Sequence, residues 1–289
     1  MRSEGEMLDL ILDAARGDER IRVVILNGSR VNPSVPRDPF QDFDVVYLVS
    51  DIAPYMHNLD WIKRFGELMI LQMPEDMSDP PPSQAQRFAY LMQFTDGNRI
   101  DLTIAPLDKL NDFTRDSLTE ILLDKDGLVK SLPPANDSDY LPQPPTAKAF
   151  ADCCNEFWWV CPYVAKGLWR GEILYAKHFL DHIVRAQLMK MLTWYAGMQT
   201  NFTQSPGKTG KYLQNHLEPK IWEKLLVTFS DADIERTWSA LYATCDLFRE
   251  VAIQVSEHFA FDYPHEDDQR VRAHLEHING LPGDAKEIY

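Results

Sequence analysis

The chain has 289 residues, 25% of them charged and 45% hydrophobic, a composition that excludes intrinsic disorder and suffices for two domains of ordinary size. It contains no run near the roughly 18 apolar residues of a membrane helix, and its acidic first residues exclude a signal peptide. We therefore expect a cytoplasmic protein that does not contact a membrane. The net charge of −15 repels the phosphates of nucleic acid and favours a small cationic substrate.

The first half of the sequence carries both helix and strand signals. A capping box, Ser3 with Glu6, opens a run of apolar residues at helical spacing that ends at Gly17, which predicts a helix. The turn signal Thr95-Asp96-Gly97-Asn98 predicts a hairpin between two of the strands. Runs rich in β-branched and aromatic residues predict these strands at residues 22–27, 43–49, 68–73, 88–94 and 100–104. The pattern predicts an α+β unit with a mixed sheet.

A proline-rich segment at residues 131–145 separates two halves of different character. Proline continues neither a helix nor a central strand, so this segment has the properties of a linker. We therefore expect two domains, at residues 1–140 and 146–289.

Beyond the linker the apolar residues follow helical spacing, with clear helices near 219–229 and 233–258, and predict a helical bundle. Pro162 lies inside the first helical pattern and predicts a kink or a new helix start. The polar residues after Pro264 predict a partly loose tail. All four cysteines lie in this half, and because no two form a CxxC pair, we expect buried thiols rather than a zinc or redox site.

Three aspartates stand at positions suited to metal binding. Asp42 and Asp44 open a predicted strand, and their spacing of two places both side chains on one face. Asp101 lies in a later strand signal and would join the pair if the two strands are neighbours. Carboxylate oxygens are the ligands that Mg²⁺ prefers, and two bound ions can stabilise the attacking and leaving oxygens of an in-line displacement. The sequence predicts two Mg²⁺ ions and a phosphate-bearing substrate.

The turn Gly28-Ser29-Arg30 follows the preceding strand and carries groups suited to phosphate. Glycine lets the backbone approach closely, the serine hydroxyl donates a hydrogen bond, and arginine adds positive charge. Gly-Ser-Arg alone is a weak signal, and a chance loop is the alternative interpretation. Followed by Asp-x-Asp at the start of the next strand, it becomes a strong one.

On these residues the first half resembles the DNA polymerase β-type nucleotidyltransferase superfamily, whose signature is a Gly-Ser turn, an Asp-x-Asp pair and a third carboxylate on a later strand. Nearly the whole chain further resembles the aminoglycoside 6-adenylyltransferase, or streptomycin adenylyltransferase, family. The stretches that carry this narrower resemblance are Met1-Arg-Ser-Glu4, Gly28-Ser-Arg30, Gln41-Asp-Phe-Asp44, Met73-Pro-Glu-Asp-Met77, Asp96-Gly-Asn98, Asp101-Leu-Thr103, Leu122-Leu-Asp-Lys-Asp126, Cys153-Cys-Asn-Glu-Phe-Trp158, and Lys166-Gly-Leu168 with Arg170.

The resemblance implies a nucleotidyltransferase domain followed by a helical substrate-binding domain. It implies transfer of AMP from ATP to a hydroxyl of an aminoglycoside such as streptomycin, with release of pyrophosphate and inactivation of the antibiotic. Asp42 and Asp44 would be catalytic metal ligands, and Asp101 would ligate metal, take the substrate proton, or both. An ordinary aspartate has a pKa of about 4, so bound metal must supply much of the activation. Gly28, Ser29 and Arg30 would cradle the phosphates.

The helical half offers further candidates. Lys166 and Arg170, four residues apart, form a basic stripe that would bind the triphosphate, and the resemblance favours this role over that of a solvated helix face. Asp152 and Glu156 form an acidic pair suited to the amino or guanidino groups of the drug, with helix-surface charge as an equal alternative.

Several alternatives stay open. Glu75 and Asp76 follow a predicted strand and are either substrate ligands or loop charge. The acceptor is a lincosamide or a protein hydroxyl in a second hypothesis, whereas the acidic charge disfavours an RNA end. A catalytically dead binding module is a third hypothesis, disfavoured because the carboxylates and the Gly-Ser turn are all present. We expect the protein to act as a monomer.

Overall fold

The structure is a computed structural model and describes residues 1–77, 79 and 86–289. It divides into two compact units, Met1–Asp139 and Tyr140–Tyr289, and the division falls within the proline-rich segment. None of the helices in these ranges has the length and apolar character needed to cross a membrane.

The first unit is built on a mixed sheet. Its strands are β1 Ile21–Asn27, β2 Phe43–Val49, β3 Leu68–Gln72, β4 Phe88–Phe94, β5 Arg99–Pro106 and β6 Thr119–Asp124. Its helices are α1 Glu4–Arg16 and two single turns, α2 Leu59–Ile62 and α3 Leu110–Phe113. Within the described residues the strand order is β3-β4-β5-β2-β1-β6, and β2 with β5 is the parallel pair of an otherwise antiparallel sheet. The predicted α+β class and mixed sheet are confirmed.

The two faces of the sheet are covered unequally. On one face, Tyr47 of β2 packs with Met7 and Ile11 of α1 in a large core, and its hydroxyl donates to the Ile11 carbonyl at 2.5 Å. On the other face, Leu48 belongs to a much smaller cluster shared with β1 and β5. The thinly covered face therefore has room for polar side chains where β2 and β5 begin.

The predicted strands of the first unit are confirmed, two of them, Phe43–Val49 and Phe88–Phe94, at the predicted bounds. The hairpin at residues 95–98 and the capping box at Ser3 are confirmed as well. The sequence pattern does not predict β6. This strand lies at the edge of the sheet and its side chains are mostly half-buried, so neither strict alternation nor an apolar run marks it.

Two segments far apart in sequence meet at the turn between β4 and β5. The Arg2 guanidinium donates to Asp96 at 2.7 Å and to the Phe65 carbonyl at 2.5 Å, and it stacks over Phe94 at 5.0 Å. Asn98 donates in turn to the Arg2 carbonyl at 3.1 Å. The hydrogen bonds from Arg2 hold the pKa of Asp96 well below its usual range. These contacts tie the start of α1 to the hairpin.

The second unit is helical. Its elements are α4 Ala147–Trp169, α5 Ile173–His178, a π-helical turn Phe179–Val184, α6 Arg185–Gln199, α7 Pro219–Val227, α8 Ile234–Phe259 and α9 His265–Asn279. The predicted helical bundle is confirmed, and so are its four buried, unbridged cysteines. Burial raises the pKa of the Cys153 thiol to about 12, so this thiol stays protonated at neutral pH.

Helix α4 continues through Pro162, so no new helix starts there, and the alternative prediction of a kink stays a prediction. Proline lacks the N–H that would complete the backbone ladder at this position. The side chains of Trp158 and Cys161 beside it are buried in the core. This packing outweighs the lost hydrogen bond.

The chain after Pro264 forms α9 as far as Asn279, so the predicted partly loose tail is wrong for these residues. Asp268 is 2% exposed and accepts two hydrogen bonds from Arg249, at 2.6 and 2.5 Å, and one from the Tyr263 hydroxyl at 2.8 Å. Leu275 is fully buried beneath the helix. The segment is polar in composition, but Asp268 is hydrogen-bonded inside the protein, so its charge does not prevent α9 from packing against the core.

We expect Asp96→Asn to destabilise the first unit at pH 7 by about 1 to 3 kcal/mol, because it removes the charged acceptor of Arg2. A carboxylate whose pKa falls on folding stabilises the folded state above its unfolded-state pKa of about 4, and this contribution is lost as the pH drops. The difference from wild type therefore narrows below about pH 4.

Hydrogen exchange of residues 88–106 during urea titration at each pH measures this effect. Asp13→Asn, which removes an exposed pair with Arg16, is the control and leaves stability nearly unchanged. A loss of stability in the Asp96 variant that is the same at all pH values would contradict the ion-pair explanation.

Candidate active site

The predicted carboxylates meet on the thinly covered face of the sheet. β2 and β5 pair in a register that sets Asp44 directly opposite Asp101. Neighbouring strands lie about 4.8 Å apart, and side chains paired across them point to the same face. Asp42, two residues before Asp44, approaches the same guanidinium as Asp101, that of Arg99. The Asp42 and Asp44 pair and Asp101 are therefore brought together, because β2 and β5 are neighbouring strands.

Arg99 is a cation placed directly on this cluster. Its Nε and Nη2 donate to the two carboxylate oxygens of Asp101 at 2.7 and 2.8 Å, and its Nε lies 3.6 Å from Oδ2 of Asp42. Arg99 was not among the predicted site residues. Its position two residues before Asp101 on one strand was the available signal, because that spacing places both side chains on one face.

Burial and charge act against each other at these side chains. Burial raises the pKa of Asp42 above its usual value, the Arg99 charge opposes this shift, and the Asp101 charge adds to it. The hydrogen-bonded carboxylate of Asp101 raises the pKa of Arg99. Three carboxylates facing one guanidinium leave the cluster with an excess of negative charge, which attracts further cations.

Gly28 brings the backbone of the Gly-Ser-Arg turn against the cluster. Its φ of +77° lies in the left-handed region, and a Cβ at this position would lie 2.2 Å from Oδ2 of Asp44. Its N–H donates to the Leu118 carbonyl at 3.2 Å, so Gly28 contributes close approach rather than an open amide. Ser29, the next residue of the turn, is half-buried. Only glycine suits the first of these two positions.

Arg30 lies inside the protein. Its guanidinium donates to the Gln41 carbonyl at 2.5 Å and to the Asp42 carbonyl at 3.2 Å, and it stacks on the Phe43 ring at 3.7 Å. Glu4 lies 3.4 Å from its Nη1. Burial lowers the pKa of Arg30. The predicted contact with phosphate stays a prediction, since the contacts seen here are with the backbone that precedes β2.

The donor atoms of the cluster suit a hard divalent cation. Its donors are carboxylate oxygens, the ligands that Mg²⁺ takes, and Gly28 itself places no side chain against Asp44. In the part of the chain that the structure describes, no three His, Cys, Asp or Glu side chains stand in an arrangement ready to hold a metal ion. Arg99 engages Asp101 and approaches Asp42 instead. Asp42, Asp44 and Asp101 are the residues that would hold Mg²⁺.

Glu75 and Asp76 contact residues of the first unit. One Glu75 oxygen accepts from the Ala89 amide at 2.9 Å, and the other lies 3.5 Å from Arg87. Asp76 lies 3.2 Å from Nδ1 of His57. These contacts favour the loop-charge alternative, and a role in binding substrate stays a prediction.

The remaining predicted residues lie along one face of α4. Here a stripe of side chains repeats at intervals of four and three residues, which places its members in one row. The members of this α4 stripe are Asp152, Glu156, Trp159, Tyr163, Lys166 and Arg170. It is acidic toward the start of the helix, aromatic in the middle and basic toward the end.

The aromatic part of the α4 stripe is ordered by its own contacts. Trp159 is 63% exposed and donates to the Tyr163 hydroxyl at 3.0 Å. The Lys166 ammonium lies 5.0 Å from the centre of the Tyr163 ring and 5.6 Å from that of Tyr175. At the acidic end, Lys148 pairs with Asp152 at 2.5 Å. The stripe therefore offers anionic, aromatic and cationic groups in sequence along the helix.

We expect Gly28→Ala to disturb Asp44 beyond the strain of a positive φ. Gly127 has a φ of +64° and open space around an added Cβ, so Gly127→Ala is the matched control. Both variants lose about 1 to 2 kcal/mol of stability, because both place alanine in the left-handed region. Only Gly28→Ala displaces Asp44 and weakens Mn²⁺ binding, by about tenfold or more, as measured by titration calorimetry. Equal Mn²⁺ affinities in the two variants would show that the close approach does not matter.

Known proteins match this chain over most of its length. The family model described as streptomycin adenylyltransferase matches residues 1–278. The chain is 43% identical over 270 residues to the aminoglycoside 6-adenylyltransferase of Bacillus subtilis (strain 168), covering 93% of this chain and 95% of that protein. It is 42% identical over 270 residues to the aminoglycoside 6-adenylyltransferase of Campylobacter jejuni, covering 93% of each.

A crystal structure of an aminoglycoside 6-adenyltransferase from Bacillus subtilis is 38% identical and covers 97% of this chain and 100% of that one, with a TM-score of 0.48. The assignment rests on the sequence matches, which extend from the Gly-Ser turn and the Asp-x-Asp pair into the last helix. This chain belongs to the streptomycin adenylyltransferase family and is a nucleotidyltransferase.

Proposed function

We propose that this protein transfers AMP from ATP to a hydroxyl of streptomycin or a related aminoglycoside and releases pyrophosphate, thereby inactivating the antibiotic. The observation that carries the proposal is the register of β2 and β5, which sets Asp44 opposite Asp101, with Gly28 closing against Asp44. Family membership supports ATP as the nucleotide, and the relatives named above are aminoglycoside 6-adenylyltransferases.

The reaction is an in-line displacement at the α-phosphorus of ATP. A bond forms between the acceptor oxygen and this phosphorus, the bond to the oxygen bridging the α- and β-phosphates breaks, and pyrophosphate leaves with that electron pair. The proton of the acceptor hydroxyl passes to a carboxylate oxygen of Asp101, which β5 holds beside Asp44. Two Mg²⁺ ions held by Asp42, Asp44 and Asp101 would supply positive charge to the attacking and leaving oxygens.

The substrates are assigned by charge. In the first unit, the phosphates of ATP bind at the Gly28-Ser29 turn. In the second unit, anionic groups suit the basic end of the α4 stripe, Lys166 and Arg170. The amino and guanidino groups of the drug bind at its acidic end, Asp152 and Glu156. The net charge of −15 supports a polycationic acceptor over RNA, whose phosphates the protein would repel.

The proposal is tested with purified protein, ATP, Mg²⁺ and streptomycin, by following pyrophosphate release and the mass of the drug. We expect release only when all components are present. Asp44→Asn lowers the rate by about three or more orders of magnitude with the fold intact, because it removes charge from the metal ligands. Asp112→Asn, exposed on α3, is the control and keeps the wild-type rate.

Near-wild-type turnover by Asp44→Asn would mean that the active site lies elsewhere. Absence of pyrophosphate release with every aminoglycoside tested would overturn the proposed acceptor, and a lincosamide or a protein hydroxyl would then be assayed in the same way.

A second experiment tests the acidic end of the α4 stripe. We expect the double variant Asp152→Asn, Glu156→Gln to raise KM for streptomycin about five- to tenfold, because it removes two partly exposed ion pairs with the drug. KM for ATP stays within about twofold of wild type. Lys148→Gln, which removes the basic neighbour of Asp152, is the control and does not raise KM for the drug. If the double variant leaves KM for streptomycin unchanged, the cationic groups bind elsewhere.

A further inference from the structure

We propose that Arg30 is a positioning residue that holds Asp42 in place, rather than a ligand of the nucleotide phosphates. This inference rests on the proposed function for the role of Asp42 as a metal ligand. It reassigns the arginine of the Gly-Ser-Arg turn from the nucleotide to the backbone of the carboxylate cluster.

Asp42 needs support that the sheet does not provide. β2 begins at Phe43, where its pairing with Ile100 of β5 also begins. Pairing with β1 reaches Asp44, which lies opposite Asn27, and goes no further. Asp42 is therefore the last residue of the long connection that leaves β1 at Gly28. A connection of this length samples many conformations unless contacts between its ends restrict it.

Arg30 supplies those contacts. Its guanidinium donates to the carbonyls of Gln41 and Asp42, at 2.5 and 3.2 Å, while its face rests on the Phe43 ring at 3.7 Å. In the opposite direction, Nε2 of Gln41 donates to the Ser29 carbonyl at 3.3 Å. The Ser29-Arg30 end of the connection is thus joined to the Gln41-Asp42 end in both directions.

The same contacts leave Arg30 poorly suited to a phosphate. Its side chain is 8% exposed, and its Nη1 already lies 3.4 Å from Glu4. To reach a phosphate the guanidinium would leave the Gln41 and Asp42 carbonyls, and a buried acceptor without a donor destabilises the fold. The planar guanidinium matches two adjacent acceptors and an aromatic face, which a lysine ammonium does not.

Arg30→Lys distinguishes the two roles. Lysine keeps the charge that a phosphate contact needs, but it loses the planar fork that the carbonyls and the ring need. We expect Arg30→Lys and Arg30→Gln both to bind Mn²⁺ about 10- to 100-fold more weakly in the absence of nucleotide. The kinetics are measured well below the melting temperature of each variant. We expect kcat to fall with the Mn²⁺ affinity, while KM for ATP stays within about threefold of wild type.

Arg37→Gln is the matched control. Arg37 lies 3.5 Å from the same Glu4 carboxylate, but its side chain is 56% exposed, so we expect its loss to leave Mn²⁺ affinity and kcat at wild-type values. The opposite result overturns the inference: Arg30→Lys behaves like wild type, and Arg30→Gln raises KM for ATP without weakening Mn²⁺ binding.

Hydrogen exchange of residues 38–46 without nucleotide gives a second readout, which applies even if Arg30→Gln fails to fold. Faster exchange in Arg30→Lys supports the positioning role of Arg30, and unchanged exchange overturns it. Failure of the wild-type protein to adenylylate any aminoglycoside would reject the proposed function. The Mn²⁺ and exchange measurements would still decide the role of Arg30, because neither uses an acceptor.

Discussion

The parallel pairing of β2 with β5 is the constraint on which the rest of the site depends. It places Asp44 and Asp101 side by side on one face of the sheet, although like charges across neighbouring strands repel. The surroundings of the pair compensate for this repulsion. Arg99 contributes an opposite charge from the same strand as Asp101, and Gly28 removes the side chain that would collide with Asp44. A slip of one residue in this register would send Asp101 to the opposite face and dissolve the cluster.

The parts of the structure that could be predicted from sequence are those set by neighbours along the chain. The Ser3 capping box, the strand at Phe43–Val49 and the shared face of Asp42 and Asp44 each follow from spacings of two to four residues. The partnership of Asp101 with Asp44 was predicted only on the condition that their strands are neighbours. No local pattern decides that condition, because a parallel pair is joined through intervening strands rather than through one turn.

The differences between prediction and structure arise where tertiary packing overrides local preference. α4 continues through Pro162 because buried side chains hold it on both sides, and α9 forms because Asp268 finds Arg249 nineteen residues away. Arg30 shows the same limit at the site. Its residue type suggested phosphate, but whether an arginine meets a ligand or its own backbone depends on burial, which only the fold determines.

The α4 stripe and the carboxylate cluster differ in what their functional groups do to the stability of the fold. Lys166 lies in the last turn of α4 and Arg170 caps it, where the partial negative charge of a helix end favours cations by about 0.3 to 1 kcal/mol each. The aspartates, in contrast, are held together against their mutual repulsion. A neutral substitution at Asp42 or Asp44 would relieve this repulsion, whereas neutral substitutions at the two cations would weaken the helix. Selection for stability alone would erode the first group of residues and preserve the second.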